Sequence, residues 1–241
     1  MSAIAASGLR SRMDSLDLLA NNMANASTGG YKADREFYSL YTAPEAQDDG
    51  STTTMPVVQQ HWTDMSQGPI TNTGNTLDVA LNGKGFFSVA GPNGTLYTRN
   101  GGFQLSANGQ LVTSDGYPVR SAAGTPLTAQ SGLPIDISRD GTVVQAGQPI
   151  GQLDIADFTG TPGLTKQGGN YFRVADPSIK PSAPAGTTVE QGKLEASNTG
   201  TAESSVRLVS IMRQFEMLQR AAKIGAEMDR QSVEQVAKVT S

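Results

Sequence analysis

The sequence predicts an α+β protein whose N- and C-terminal helices pair as a coiled-coil-like unit and whose middle is a mainly antiparallel β domain. Apolar residues recur in steps of three and four near both termini, as they do along one face of a helix. Between these stretches, short alternating segments are separated by Asn-Gly and Asp-Gly turns. The predicted division is therefore an N-terminal helical segment, a linker, the β domain and a C-terminal helical segment, at 1–42, 43–66, 67–190 and 191–241.

The first helix is expected from about Ala3 to Ala24, and the run of Asn and Gly that continues to Gly30 is typical of a helix terminus. Its apolar stripe consists of Leu9, Met13, Leu16, Ala20 and Met23. The stretch from Tyr31 to Tyr41 could be extended or helical. The Ser/Thr-rich segment that contains Asp48 and Asp49 reads as a solvated linker rather than a carboxylate site.

The β domain is predicted from its alternation and its turns. Leu77, Val79 and Leu81 alternate with polar or small residues, as in a half-buried strand. Tight turns are expected at Asn93-Gly94, Asn108-Gly109, Asp115-Gly116 and Asp140-Gly141. This regular spacing favours short antiparallel strands.

The last helix is expected to begin at 201–205 and to run to about Lys238. Its stripe consists of Leu208, Ile211, Phe215, Leu218 and Ala222. Gly225 continues the stripe at a cost of about 1 kcal/mol relative to Ala, so the helix bends there or a neighbour packs closely.

These stripes can serve contacts inside the chain, contacts between subunits, or both. A second apolar face lies off the main stripes, at Ile4, Leu18, Leu19, Val209, Met212 and Met217. Amides such as Asn21, Asn22 and Asn25 donate and accept hydrogen bonds at once, which suits contacts between identical or related subunits. We therefore expect both stripes and these three amides to take part in subunit interaction.

Composition disfavours several functions. The net charge is −4 with no basic stripe, so we expect no nucleic-acid partner. The chain has no cysteine, no apolar run of membrane-spanning length and no N-terminal signal-peptide pattern, so neither membrane insertion nor cleaved secretion is expected. The single histidine, His61, lacks partners for metal binding or nucleophilic catalysis. We expect no enzymatic activity, no metal and no cofactor.

Several segments resemble the flagellar rod and hook proteins. Residues 16–32 (LDLLANNMANASTGGYK) match the N-terminal signature of that family over their whole length. Residues 73–87, residues 97–103 (YTRNGGF) and the turns that follow are similar to the family's β domain, and residues 194–198 (LEASN) resemble the motif before its last helix. The resemblance covers essentially the whole chain.

The resemblance implies a structural subunit of the bacterial flagellar basal-body rod, exported by the flagellar type III apparatus and located in the periplasm. Its partners would be copies of itself and other rod subunits, and its terminal helices would pack into a rigid shaft that transmits torque from motor to hook. Residues 213–217 (RQFEM) are most similar to the F-type, proximal-rod members. A G-type distal-rod subunit, a coiled-coil adaptor and an enzyme acting on cell-wall polysaccharide are the alternatives, the last without a persuasive pair of separated carboxylates.

Overall fold

The computed structural model describes residues 2–42, 54–158, 163–168, 170–176 and 178–239. Helix α1 spans Ser2–Ala24 and helix α2 spans Thr201–Val239, close to the predicted bounds. The remaining elements are short β-strands paired antiparallel, which confirms the α+β class. The chain forms two compact units, one containing both helices and the other most of the strands.

The helical unit contains α1, α2 and a β-hairpin. Strand β1 (Asp34–Thr42) pairs antiparallel with β2 (Thr54–Thr63), with one irregularity in register after Phe37. The linker predicted for 43–66 is therefore wrong over β2, where β-branched and aromatic residues outweigh the polar composition around them. Residues 43–53, including Asp48 and Asp49, lie outside the described residues.

The β unit comprises residues 25–32 and 65–199. Its main sheet has five strands in the order β12-β5-β6-β14-β13, and a three-stranded sheet has the order β11-β10-β9. Three pairs complete it: β4 with β15, β3 with β16, and β7 with β8. The strands are β3 (Ile70–Asn72), β4 (Val79–Asn82), β5 (Phe86–Gly91), β6 (Gly94–Thr98), β7 (Gln104–Leu105), β8 (Leu111–Val112), β9 (Ile135–Ile137), β10 (Thr142–Gln145), β11 (Gln148–Gln152), β12 (Ile155–Ala156), β13 (Leu164–Lys166), β14 (Tyr171–Val174), β15 (Thr188–Gln191) and β16 (Lys193–Glu195).

The C-terminal boundary of the β unit lies beyond the predicted one. Residues 191–195 were expected to lead into the last helix, but β15 ends at Gln191 and β16 pairs Leu194 with Thr71 of β3. This backbone pairing holds the 194–198 motif in the β unit, so the helix begins only at Thr201.

The predicted turns are present. Gly94, Gly109, Gly116 and Gly141 all have positive φ, between 73° and 115°. Only glycine adopts such angles without strain, so these positions permit the close reversals that join the short strands.

The core of the β unit is aromatic and β-branched. Phe87 and Phe103 meet edge to face with ring centroids 5.1 Å apart, and Val89 and Val119 are fully buried beside them. A second cluster gathers around the buried ring of Phe172, whose centroid lies 5.4 Å from that of Phe86. Among the described residues, neither helix combines the length and apolarity needed to cross a lipid bilayer.

Candidate functional site

The predicted stripe of α2 faces inward within the chain. Helices α1 and α2 pack against each other, and the residues predicted from the heptad spacing lie among the less exposed ones of α2, together with buried Ser204 and half-buried Gln214. Ile211 is buried, and the others are half-buried: Leu208, Phe215, Leu218 and Ala222. Their apolar surface is therefore already used, at least in part, inside the subunit.

The inward face of α1 differs from the predicted stripe. Its buried residues are Ser11, Ser15, Leu19 and Asn22. The hydroxyl of Ser15 donates to the carbonyl oxygen of Ser11 at 3.0 Å, a bond that a serine in a helix commonly makes to the preceding turn. Serines can thus occupy the buried face of this helix. A prediction from apolar spacing alone instead assigns a helix face to leucine, methionine and alanine.

The predicted α1 stripe instead borders the outward face. Met13 is 55% exposed, Ala20 and Met23 are also exposed, and Leu9 and Leu16 are half-buried. Leu19, expected on the second face, is buried, and Leu18 of the same face is half-buried. Ile4 has no described side chain.

A second outward apolar face runs along α2, where the sequence predicted one. Val206 is 73% exposed and Met217 is 62% exposed, and exposed Val209 and Met212 lie between them. Two more exposed residues, Ile224 and Met228, extend the row. Contiguous exposed apolar side chains of this kind mark interaction surfaces.

The three predicted amides differ in their hydrogen bonds and in their exposure. The Asn22 side chain donates to the carbonyl oxygen of Asp34 at 2.8 Å and accepts from the Asp34 backbone N–H at 3.0 Å. It is buried and ties α1 to β1 inside the subunit, and contact of Asn22 with another subunit stays a prediction. The Asn25 side-chain oxygen accepts from the Thr28 hydroxyl at 3.3 Å, whereas Asn21 is exposed.

Gly225 lies inside the continuous helix α2. No atom of the described chain comes within 4 Å of the position that a Cβ would take. The close neighbour that could explain this glycine is therefore not found within the described part of the subunit.

A buried charge cluster joins three of the motifs quoted above. The Lys32 ammonium lies 2.6 Å from Glu195 Oε1, and both side chains are fully buried. The other carboxylate oxygen, Oε2, lies 3.4 Å from Arg99 Nε without making a hydrogen bond. Lys32 belongs to the 16–32 signature, Arg99 to the 97–103 motif and Glu195 to the 194–198 motif.

The backbone around this cluster is closely packed. The Gly68 backbone N–H donates to Glu195 Oε1, and Lys32 also donates to the Ser66 carbonyl oxygen at 2.6 Å. Gly30 has a φ of 67°, and a Cβ there would meet the Asn100 nitrogen at 2.3 Å. Only glycine allows the backbone to come this close to Asn100, which explains why the signature has a glycine directly before Tyr31.

Burial lowers the pKa of the Arg99 guanidinium from its usual value, and the Glu195 carboxylate opposes that shift. One carboxylate therefore lies between two buried cations, and Arg99 completes its contacts at the carbonyl oxygens of Leu81 and Gly83. Sequence reasoning missed this cluster, although each of the three motifs contains a charged residue that could have drawn attention to it.

The described residues contain no group of three metal-ligating side chains close enough to hold an ion. His61 lies on β2 with an exposed side chain. The described part of the chain thus presents two outward apolar helix faces, and its β unit contains a buried cluster of charged side chains.

Comparisons with known proteins agree with this geometry. Residues 80–145 match the family model "Flagellar hook protein FlgE/F/G D1 domain", and residues 190–235 match "Flagellar basal body rod FlgEFG protein C-terminal". The flagellar basal-body rod protein FlgF of Caulobacter vibrioides is 33% identical over 93% of this chain and 92% of its own length. FlgG of Buchnera aphidicola is 34% identical over 93% of this chain and 95% of its own length.

A second FlgF, from Rhizobium meliloti, is 30% identical over 83% of both chains. F-type and G-type proteins therefore occur at similar identity among these relatives. Nearly full-length similarity at this level, with both family models in the expected order, shows that the chain belongs to the flagellar basal-body rod protein family.

Proposed function

We propose that this chain is a structural subunit of the flagellar basal-body rod and that it polymerises through its terminal helices. The observation that carries the proposal is the pair of outward apolar faces on α1 and α2, at Met13 and Ala20 on one helix and Val206 and Met217 on the other. An isolated chain leaves these side chains in water, whereas packing them against neighbouring subunits gains about 25 cal/mol per Å² of apolar surface buried.

Side-by-side packing of such helices accounts for a mechanical function. Interdigitated helix faces resist sliding and bending because protein interiors pack as densely as organic crystals. A contact that repeats with a rotation that does not close produces a helical tube rather than a ring. The rod subunits would then transmit torque from motor to hook, with the paired α1 and α2 of each subunit forming a coiled-coil-like strut.

The position of the subunit within the rod is proposed from the resemblance of its sequence to F-type members of the family. Residues 213–217 favour the F-type, proximal-rod position, and an FlgF protein is among the relatives. We further propose that the chain reaches the periplasmic rod through the flagellar type III apparatus and that its partners are copies of itself and other rod subunits. We propose no enzymatic activity and no cofactor.

Complementation of a deletion strain tests the proposal. Basal bodies would be purified from the deletion strain and from strains expressing the wild-type chain, Met217→Glu or Leu133→Glu, and imaged by electron microscopy. We expect Met217→Glu to abolish rods, because a carboxylate in an apolar contact is costly to desolvate. Leu133 is an equally apolar exposed residue of the β unit, so Leu133→Glu serves as the matched control and should assemble.

The form of the defect separates the alternatives. Loss of the rod from its membrane-proximal part in the deletion strain supports the F-type placement, whereas loss of only the distal segment supports a G-type subunit. An intact rod in the deletion strain would refute the structural role.

A further inference from the structure

Methionine in this chain lies on the surface. Methionine is ordinarily among the residues most often buried, but every methionine side chain that the structure describes is exposed: Met13, Met23, Met65, Met212, Met217 and Met228. The chain contains no cysteine, so these thioethers are its exposed sites for oxidation at sulfur.

Met217 has the most exposed side chain of the six, at 62%. It lines a shallow groove on the outward face of α2, together with Val206, Val209 and Arg213. The sulfur is therefore open to a small oxidant such as hydrogen peroxide, and it lies among the apolar side chains that carry the proposed function.

Hydrogen-bond donors flank Met217 along the helix. Residues three or four positions apart are neighbours on a helix surface, so Arg213 and Gln214 precede Met217 at contact spacing and Arg220 follows it. Within the part of the chain that the structure describes, none of these three side chains makes an ion pair or a hydrogen bond. Glu216 is adjacent in sequence but lies about 100° around the helix from Met217. The N–H groups of the three donors can therefore reach an oxygen atom bound to the Met217 sulfur.

Met212 provides a comparison on the same helix. Its side chain is 50% exposed, which is only slightly less than that of Met217. Its neighbours at helical spacing carry no side-chain N–H: Leu208, Val209, Phe215 and Glu216. The two methionines thus differ more in their neighbours than in their exposure.

Oxidation of a thioether by hydrogen peroxide needs no further reactant. The sulfur attacks one peroxide oxygen, so that an S–O bond forms as the O–O bond breaks. The departing hydroxide takes the proton of the transferred oxygen and leaves as water, while the sulfur loses the two electrons that the peroxide gains. Negative charge develops on the departing oxygen, and an arginine N–H near the sulfur can stabilise it.

We propose that Met217 is an oxidant-sensitive modification site, which peroxide converts to the sulfoxide ahead of Met212, and that the oxidised chain does not join the rod. The second half rests on the proposed function, because a sulfoxide oxygen on the outward face of α2 must be desolvated when a neighbouring subunit covers it. Methionine sulfoxide reductases reverse this oxidation, so the modification can act as a switch.

Peptide mapping of the purified full-length chain tests the site. A glutamate-specific protease releases residues 204–216 with Met212 and residues 217–227 with Met217, because Glu203, Glu216 and Glu227 bound these peptides. After limited treatment with hydrogen peroxide, mass spectrometry should show that peptide 217–227 gains one oxygen atom about threefold faster than peptide 204–216. Equal rates, or faster oxidation of Met212, would overturn the proposal.

A double variant tests the flanking donors. Arg213→Ala/Arg220→Ala should slow the oxidation of Met217 to nearly the rate of Met212. The matched control is Lys223→Ala, which removes an exposed cation of α2 that is six residues from Met217 and outside contact spacing. Oxidation of Met217 at the wild-type rate in the double variant would show that its neighbours do not select it.

Assembly is tested in the deletion strain with hydrogen peroxide present while the chain is expressed. Rod-bearing basal bodies are counted for the wild-type chain, Met217→Leu and Met65→Leu, each relative to its own untreated culture. The wild type and Met65→Leu, which alters an exposed methionine of the β unit, should lose about tenfold or more of their rods. Met217→Leu has no sulfur at this position and should lose far fewer, so a relative loss equal to that of the wild type would refute the switch.

A glutamine variant separates this inference from the proposed function. Met217→Gln places an uncharged polar group on the face and should lower the number of rods about tenfold without peroxide, whereas Met65→Gln should assemble. Circular dichroism of each purified variant shows whether it folds. Normal rods in folded Met217→Gln, together with rod loss in Met217→Glu, would refute the inference and leave the rod function standing. Intact rods after deletion of the chain would refute the rod function itself.

Discussion

Glu195→Gln should destabilise the β unit far more than removal of a typical ion pair. The Lys32 ammonium and Glu195 Oε1 are 2.6 Å apart with no exposure of either side chain. At an effective dielectric constant of about 20, charges at this distance attract by about 6 kcal/mol, most of which desolvation offsets. Glutamine keeps the volume but leaves Lys32 and Arg99 buried without an anion, so we expect a loss of about 3–5 kcal/mol in the free energy of unfolding.

Urea unfolding of the full chain, followed by circular dichroism, measures this loss. The matched control is Glu190→Gln, because the Glu190–Lys193 pair has nearly the same separation, 2.7 Å, with partly exposed side chains. Solvent screening limits an exposed pair to about 1 kcal/mol or less. A double-mutant cycle with Lys32→Met should give a coupling of at least about 2 kcal/mol. Equal losses for Glu195→Gln and Glu190→Gln would refute the reasoning.

Three further predictions concern single positions. Gly225→Ala should raise the free energy of unfolding of the helical unit by about 1 kcal/mol in thermal melts, because a Cβ there meets nothing within 4 Å; a loss of stability would contradict this. Asn22→Ala removes both hydrogen bonds to the Asp34 backbone, so the amide of Asp34 should exchange with deuterium faster, and unchanged exchange would rule out the clamp. Burial and the hydrogen bond to Asp115 raise the pKa of Tyr171 above its usual 10.0, so stability present below pH 10 should fall as the pH rises further, and Tyr171→Phe should flatten that fall in pH-dependent melts.

Local patterns predicted much of the fold. The bounds of both helices and the glycine turns follow from spacing and from residues with specific backbone preferences. The β1–β2 hairpin was missed because the sequence around β2 is polar and therefore resembles a linker. The sequence alone does not show that β2 pairs with β1. Strand pairing is a contact between residues that are distant in sequence, and local composition gives little information about which strands pair.

The functional surfaces were predicted less evenly. The inward stripe of α2 consists mostly of large apolar residues, so its periodicity is visible in the sequence. The inward face of α1 includes Ser11 and Ser15, small polar residues that a search for apolar periodicity does not select. Lys32 and Glu195 were missed for a related reason: charged residues are rarely buried, and only their pairing across the fold makes burial tolerable.

The Lys32–Glu195 contact also constrains how the β unit folds. The two residues are 163 positions apart, so this ion pair cannot form until the 194–198 motif is available. Closing a loop of this length costs about 4.5 kcal/mol of chain entropy before the contact forms. High contact order of this kind is associated with folding in milliseconds to seconds rather than microseconds. The β unit is therefore expected to complete its folding only after nearly the whole chain has been synthesised.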